Sequence, residues 1–262
     1  MNFSEEIFSI PATTLDLFRS MLQTRRDKIK DYKLVITGGI GAGKSTACQL
    51  IKELFEMHGI PINTIREYIN YDPNGQQVLA DFISGKISNF MFQNYILDTY
   101  KLQCAENRRN GITIIERPPE DSIACFANIT YSNTNELVFE QLEKLWSKVK
   151  NIVDVNDLPS YNDFDETQTV GLVSRDLFKT INDIISIIDS DLAEGVSKRI
   201  VVLVVKDVKQ TKNRIAKRGR ECESSYSDEY LNTINNFYVN VVKFNGIGTP
   251  IDLELFEELL KF

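Results

Sequence analysis

The chain has 262 residues, of which 42% are hydrophobic and 26% charged, with a net charge of −7. That length can bury a full core as one large domain or two small ones, and the acidic balance argues against a nucleic-acid polyphosphate as the principal partner. Four scattered cysteines without a C-x-x-C pair, and one histidine (His58), leave no transition-metal set and suit a reducing compartment.

In chain order, residues 12–31 read as a capped helix with Leu15, Phe18 and Leu22 on one face. Residues 1–32 together are expected to be an N-terminal helical extension. Strands are predicted at 33–37, 62–66, 112–116 and 200–205, and a fifth over 241–245 (VVKFN). Helical spacing falls between them at 47–57, 75–84, 88–107 and 208–218. Strands that alternate with helices predict an α/β fold with a parallel sheet of about five strands flanked by helices on both faces. The aspartate-rich stretch 150–192 reads as a solvated loop followed by an amphipathic surface helix, with a partner-binding or dimerisation insert as the sharper reading. No run is apolar enough to span a bilayer, and no signal or transit pattern opens the chain. The expectation is a soluble, cytoplasmic protein with no membrane partner.

Between the first strand and its helix stands GGIGAGKS. Gly38, Gly43, Lys44 and Ser45 fit G-x-x-x-x-G-K-[ST] in the strand–loop–helix context that this phosphate-binding pattern requires. Its glycines let successive N–H groups curl inward at phosphate oxygens, and the helix N-terminus adds a positive dipole end. Gly38, Gly39, Ile40, Gly41, Ala42, Gly43, Lys44, Ser45 and Thr46 are therefore the expected cradle for the phosphates of ATP. Lys44 would neutralise the β- and γ-phosphates, and Ser45 would ligate Mg²⁺.

Charged residues at the carboxyl ends of parallel strands select the reaction. The second strand runs into Arg66-Glu67-Tyr68, and the third ends in Glu116-Arg117. One carboxylate can take the proton of an attacking hydroxyl while the other helps to hold Mg²⁺. Further on, NRIAKRGRECE sets Arg214, Lys217 and Arg218 on one helix face, and Gly219 then places Arg220 on a loop. An arginine-rich lid over about 214–225 would stabilise transferring charge and exclude water.

These residues, in this order, resemble the deoxyribonucleoside kinase family, which is related to the herpesvirus-type thymidine kinases. The likeness runs through GGIGAGKS, Glu67, FMFQNY with Gln93, IIERP with Glu116-Arg117, and RIAKRGRECE, over about 33–126 and 199–245. It implies a nucleoside kinase domain over 33–262 with ATP as phosphate donor and Mg²⁺ as cofactor. By position it makes Glu67 the base for a nucleoside 5′-hydroxyl and Arg117 the residue that orients it, with Glu116 near Mg²⁺. Gln93 would meet the nucleobase edge, turning its amide either way, with Phe92 packed on the ring and Ile96 narrowing the pocket. Glu223 would reach the sugar, and Arg214, Arg218 and Arg220 would hold phosphates. Phe82 stands where the family has a tyrosine hydroxyl for the 3′-oxygen. Tyr100 and Ser122 stand where members that favour deoxycytidine or purines carry an Arg–Asp pair, with Asp121 one residue off. The uncharged pocket that results suits a pyrimidine, thymidine above deoxycytidine, and the family likeness leaves room for a homodimer.

Two other readings compete. A thymidylate-type nucleoside monophosphate kinase needs one more cation at the acceptor site, for which Arg66, Arg108 or Arg109 are candidates. A non-catalytic nucleotide-binding or interaction protein is disfavoured by an intact Lys44, Glu67 and Arg117.

Overall fold

The computed structural model describes residues 10–106, 111–127, 137–161, 169–174, 176–205 and 207–244. Five strands form one parallel sheet: β1 (Lys33–Gly38), β2 (Ile62–Ile65), β3 (Ile112–Glu116), β4 (Thr169–Val173) and β5 (Lys198–Val204). Their order is β2-β3-β1-β5-β4, with Ile36 opposite Glu116 and Gly38 opposite Leu203. The helices are α1 (Ala12–Arg25), α2 (Lys44–Met57), α3 (Tyr68–Tyr71), α4 (Gly75–Ile83) and α5 (Asn89–Glu106). They continue with α6 (Phe139–Asn156), α7 (Leu177–Glu194), α8 (Val208–Arg218) and α9 (Asp228–Phe244). Among the described residues no helix is long and apolar enough to cross a membrane.

Strand alternation divides the core into two layers. Leu34 and Ile36 of β1 face α1, α2 and α7, while Val35 faces α5, α6 and α9. Since both faces are covered, the central strands are apolar throughout, which is why β1, β3 and β5 were plain in the sequence. The helix expected as an N-terminal extension is instead built into the first layer. Phe18 is fully buried, edge-on to Phe55 of α2 with ring centroids 4.8 Å apart.

Two expectations are corrected. The stretch 241–245 is not a strand: residues up to Phe244 continue α9, and Asn245 lies outside the described residues. Ile234, Tyr238, Val239 and Val242 are buried at helical spacing, so packing overrides the β-preference of the two valines. The fifth strand lies within 150–192, read as loop and surface helix. It is β4, whose Gly171 leaves room for Val242 of α9; a Cβ there would stand 2.7 Å from the Val242 side chain. The helix that follows, α7, is no surface element, because Ile181, Ile184, Ile185 and Ile188 are all fully buried. The helix α6 had no counterpart among the predicted elements.

Candidate active site

In the strand order the connection after β1 runs to the β2 edge and the one after β3 crosses to the β4 edge, and ligands of such sheets bind at the carboxyl ends beside that switch between β1 and β3. The glycine loop sits there. Gly38 has φ 138°, and a Cβ on it would fall 2.0 Å from the Leu203 carbonyl oxygen, so only glycine fits between β1 and β5. Gly43, at φ 93°, turns the chain into α2, whose first N–H groups face the loop. Lys44 is buried, donates to the Gly39 carbonyl at 3.0 Å and stands 3.7 Å from Glu67 Oε1. Burial, with the Arg117 charge added, pushes its ammonium down to about 8. The loop is braced from behind: Ser174, just past β4, donates to the Ala42 carbonyl at 2.7 Å. Arg214 donates to the Gly41 carbonyl at 2.9 Å and to Ser174 Oγ at 3.0 Å. Its guanidinium is thus engaged with the loop backbone.

The two strand-end carboxylates meet at the loop. Glu67 caps α3, and Arg117 Nε donates to its Oε1 at 2.5 Å. Arg117 has a left-handed backbone, φ 73°, and Nη1 donates to the Gly38 carbonyl at 2.9 Å and to the Tyr238 hydroxyl. Its guanidinium lies 4.6 Å from the Phe126 ring centre and 3.8 Å from Asp121 Oδ2. Asp121 accepts from Thr37 at 2.5 Å and Tyr238 at 2.8 Å, so it is tied behind Arg117. A non-glycine residue in the left-handed region persists only where its surroundings over-determine it, and here five groups do.

The same charges separate the two acids. Burial pushes the Glu67 carboxyl up, but Lys44 and Arg117 outweigh it and hold it well below the ordinary carboxylate range. Glu116 moves the other way, raised by burial and then by the Glu67 charge. Ser45 Oγ donates to Glu116 Oε1 at 2.5 Å. Among the described residues no group of three His, Cys, Asp or Glu could cage a metal. Ser45 and Glu116 offer two oxygens beside the loop, a set that suits Mg²⁺ when phosphates and water complete its shell.

Beyond Glu67 a cleft of about 930 Å³, open mouth included, runs between α3, α4, α5 and the lid. Its polar end carries Lys44, Glu67, Arg117, Arg218, Arg220 and Glu223. Its far end is walled by Phe82, Phe92, Gln93, Ile96, Tyr100 and Ser122. Phe82 stacks on Phe92 with centroids 4.2 Å apart and rings 6° from parallel. Tyr100 donates to the Arg117 carbonyl at 3.0 Å, and Ser122 to the Pro119 carbonyl at 2.6 Å, so neither brings charge to the far end. Gly219, at φ 72°, ends α8, and the lid turns inward. Glu223 is buried between Arg218 at 3.3 Å and Arg220 at 3.0 Å. Arg66 lies elsewhere, in the groove behind Ser45 and Glu116, where it donates to Gln49 at 2.9 Å. Arg108 and Arg109 lie outside the described residues.

Sequence reasoning missed Asn70. Its Oδ1 accepts from Arg220 at 2.7 Å, and its Nδ2 stands 3.3 Å from Glu116 Oε2 and 3.5 Å from Ser45 Oγ. This one amide links the lid to the wall that carries the metal candidates. A hydrogen bond to a charged group is the strong kind. Asn70→Ala is therefore expected to speed amide hydrogen exchange over 219–226 roughly tenfold, with little change in the unfolding midpoint. Unchanged exchange in the lid would remove Asn70 from this role.

No protein-family profile matches the chain, and no curated protein sequence matches it. Among solved structures it is similar to deoxyadenosine kinase from M. mycoides with bound dATP, at 20% identity and a TM-score of 0.45. That match covers 88% of this chain and 100% of the other. With bound dCTP the figures are 21% identity, 87% and 98% coverage, and a TM-score of 0.40. Likeness at this level says nothing about the site, which stands on its own geometry.

Proposed function

We propose that this chain is a nucleoside kinase, which transfers the γ-phosphoryl group of ATP to the 5′-hydroxyl of a deoxyribonucleoside. The observation that carries the reading is a single cleft with a phosphate loop, Lys44 and the Glu67–Arg117 pair at one end and an uncharged aromatic pocket at the other. The loop amides and Lys44 hold the β- and γ-phosphates, and Arg218 and Arg220 add charge from the lid. Mg²⁺, held by Ser45 and Glu116, neutralises phosphate charge when bound. Glu67 accepts the 5′-hydroxyl proton as the oxygen–phosphorus bond forms and ADP departs. Arg117 keeps Glu67 ionised and aimed. As Lys44 turns to the phosphates, Glu67 loses one of the charges that depress it and becomes a better base. Glu223, on the cleft wall between Arg218 and Arg220, would reach the sugar. The neutral far end suits a pyrimidine, with thymidine above deoxycytidine because its methyl group gains about 0.8 kcal/mol from apolar walls.

Label transfer from γ-labelled ATP to nucleosides and, separately, to their monophosphates tests the reading. Monophosphate product from nucleosides supports it, and label entering only diphosphates would replace it with a monophosphate kinase.

The pH dependence has a definite sign. The reaction needs Lys44 protonated, and its ammonium is pushed down to about 8, so kcat/KM for ATP should fall as pH rises through that value. Glu67 must be ionised, and because its carboxyl is depressed its acid limb should lie well below the ordinary value of about 4.3. A pH–rate profile checks both limbs, and Lys44→Arg should carry the alkaline limb upward. An alkaline limb that stays in place would detach it from Lys44.

A further inference from the structure

Gln93 and Asn89 lie one turn apart on α5, and both are buried. Asn89 Nδ2 donates to the Ala127 carbonyl at 3.2 Å. A backbone carbonyl can only accept, so the Asn89 amide has one orientation, with Oδ1 turned to Gln93. Gln93 must then offer its own NH₂, and its Nε2 donates to Asn89 Oδ1 at 3.0 Å. That leaves Gln93 Oε1 buried, with no hydrogen-bond partner among the described residues, in a side chain that lines the cleft. A flip would set two amide oxygens against each other. The glutamine read from sequence as able to turn either way is held in one hand.

We propose that Asn89 is a specificity-determining residue, which locks Gln93 so that the pocket takes a nucleobase with an N–H opposite Oε1 and rejects one with an acceptor there. This rests on the nucleoside reading of the cleft. Thymine and cytosine are the sharpest comparison, because they reverse the pattern. Thymine sets the O4 acceptor beside the N3–H donor, and cytosine sets the N4 amino donor beside the N3 acceptor. A free amide serves both. A locked one serves one, and meets the other with acceptor against acceptor, its buried oxygen unsatisfied. Sites that leave a buried polar group unpaired discriminate by about tenfold or more.

Equilibrium binding of thymidine and deoxycytidine to the full chain tests this, with Asn89→Ala, Asn89→Ser and Asn89→Asp beside the wild type. The wild type should separate the two by about tenfold or more. Ala removes the partner and Ser can donate or accept, so each should bring the affinities within about threefold, and either serves if the other fails to fold. Asp still accepts from the Gln93 NH₂ and should keep the ratio that Ala and Ser lose, whereas a merely structural role would weaken both ligands together and leave the ratio unmoved in all three. A wild-type ratio in favour of deoxycytidine supports the lock while overturning the thymidine preference. An unchanged ratio in the Ala and Ser variants, or none in the wild type, overturns the lock alone. Failure of the wild type to bind either nucleoside overturns the nucleoside reading and the lock with it.

Discussion

Glu67→Gln is expected to lower kcat by about 10²–10⁴-fold while ATP still binds. Gln keeps the shape and can still accept a hydrogen bond from Arg117 Nε, which now reaches Glu67 Oε1 at 2.5 Å. What it cannot do is take up a proton from the attacking hydroxyl. ATP binding should not suffer, since the variant removes a negative charge 3.7 Å from Lys44 and so leaves the ammonium freer for phosphate. Turnover measured beside a direct ATP titration separates the two effects. Near-full kcat with ATP bound would remove Glu67 as the base.

The second large effect is on stability. Arg117→Met takes the guanidinium away from Glu67 at 2.5 Å and Asp121 at 3.8 Å; Glu67 keeps Lys44 at 3.7 Å, while Asp121 keeps the neutral Thr37 and Tyr238 hydroxyls. Breaking a buried pair by removal of one partner costs about 3–5 kcal/mol, because the other charge stays buried alone. The cost should depend on pH with a fixed sign. In the wild type the depressed Glu67 carboxyl contributes stability that is present above the unfolded carboxylate value of about 4.3 and is lost as pH falls through the folded one. In the variant that carboxyl has lost one of the cations that depress it and keeps Lys44, so its protonation costs less than in the wild type. The gap between the two proteins should therefore be widest near neutrality and narrow towards acid. Denaturant unfolding at several pH values checks this, and a gap below about 1 kcal/mol near neutrality would mean that Arg117 is not what holds these acids.

What was legible in the sequence follows from which contacts are local. The phosphate loop could be read because glycines, Lys44 and Ser45 are neighbours in the chain and lie between a buried strand and a helix. Glu67 and Glu116-Arg117 could be read because a charged residue that ends an apolar strand marks the ligand edge of a parallel sheet. The supports could not. Asp121 meets Tyr238 across 117 positions, and Arg220 meets Asn70 across 150, so no window of sequence holds either pair. Tyr238 is further hidden because VVKFN, just after it, reads as a strand. β4 was missed because it is short, carries Gly171 and follows a polar stretch, although that glycine is what lets α9 pack closely and bring Tyr238 to Arg117. Asn89 carried no signal of its own, because its bond to the Ala127 carbonyl spans 38 positions.

The proposed reaction is attack by a hydroxyl at Glu67 on the terminal phosphate held over Lys44. Its most direct test is the fate of label when thymidine and γ-labelled ATP are incubated with Mg²⁺ and the full chain, wild type and Glu67→Gln side by side. Label is expected in thymidine 5′-monophosphate with the wild type and is expected to be nearly absent with the variant. Label released only as inorganic phosphate, or transferred equally by both proteins, would contradict it.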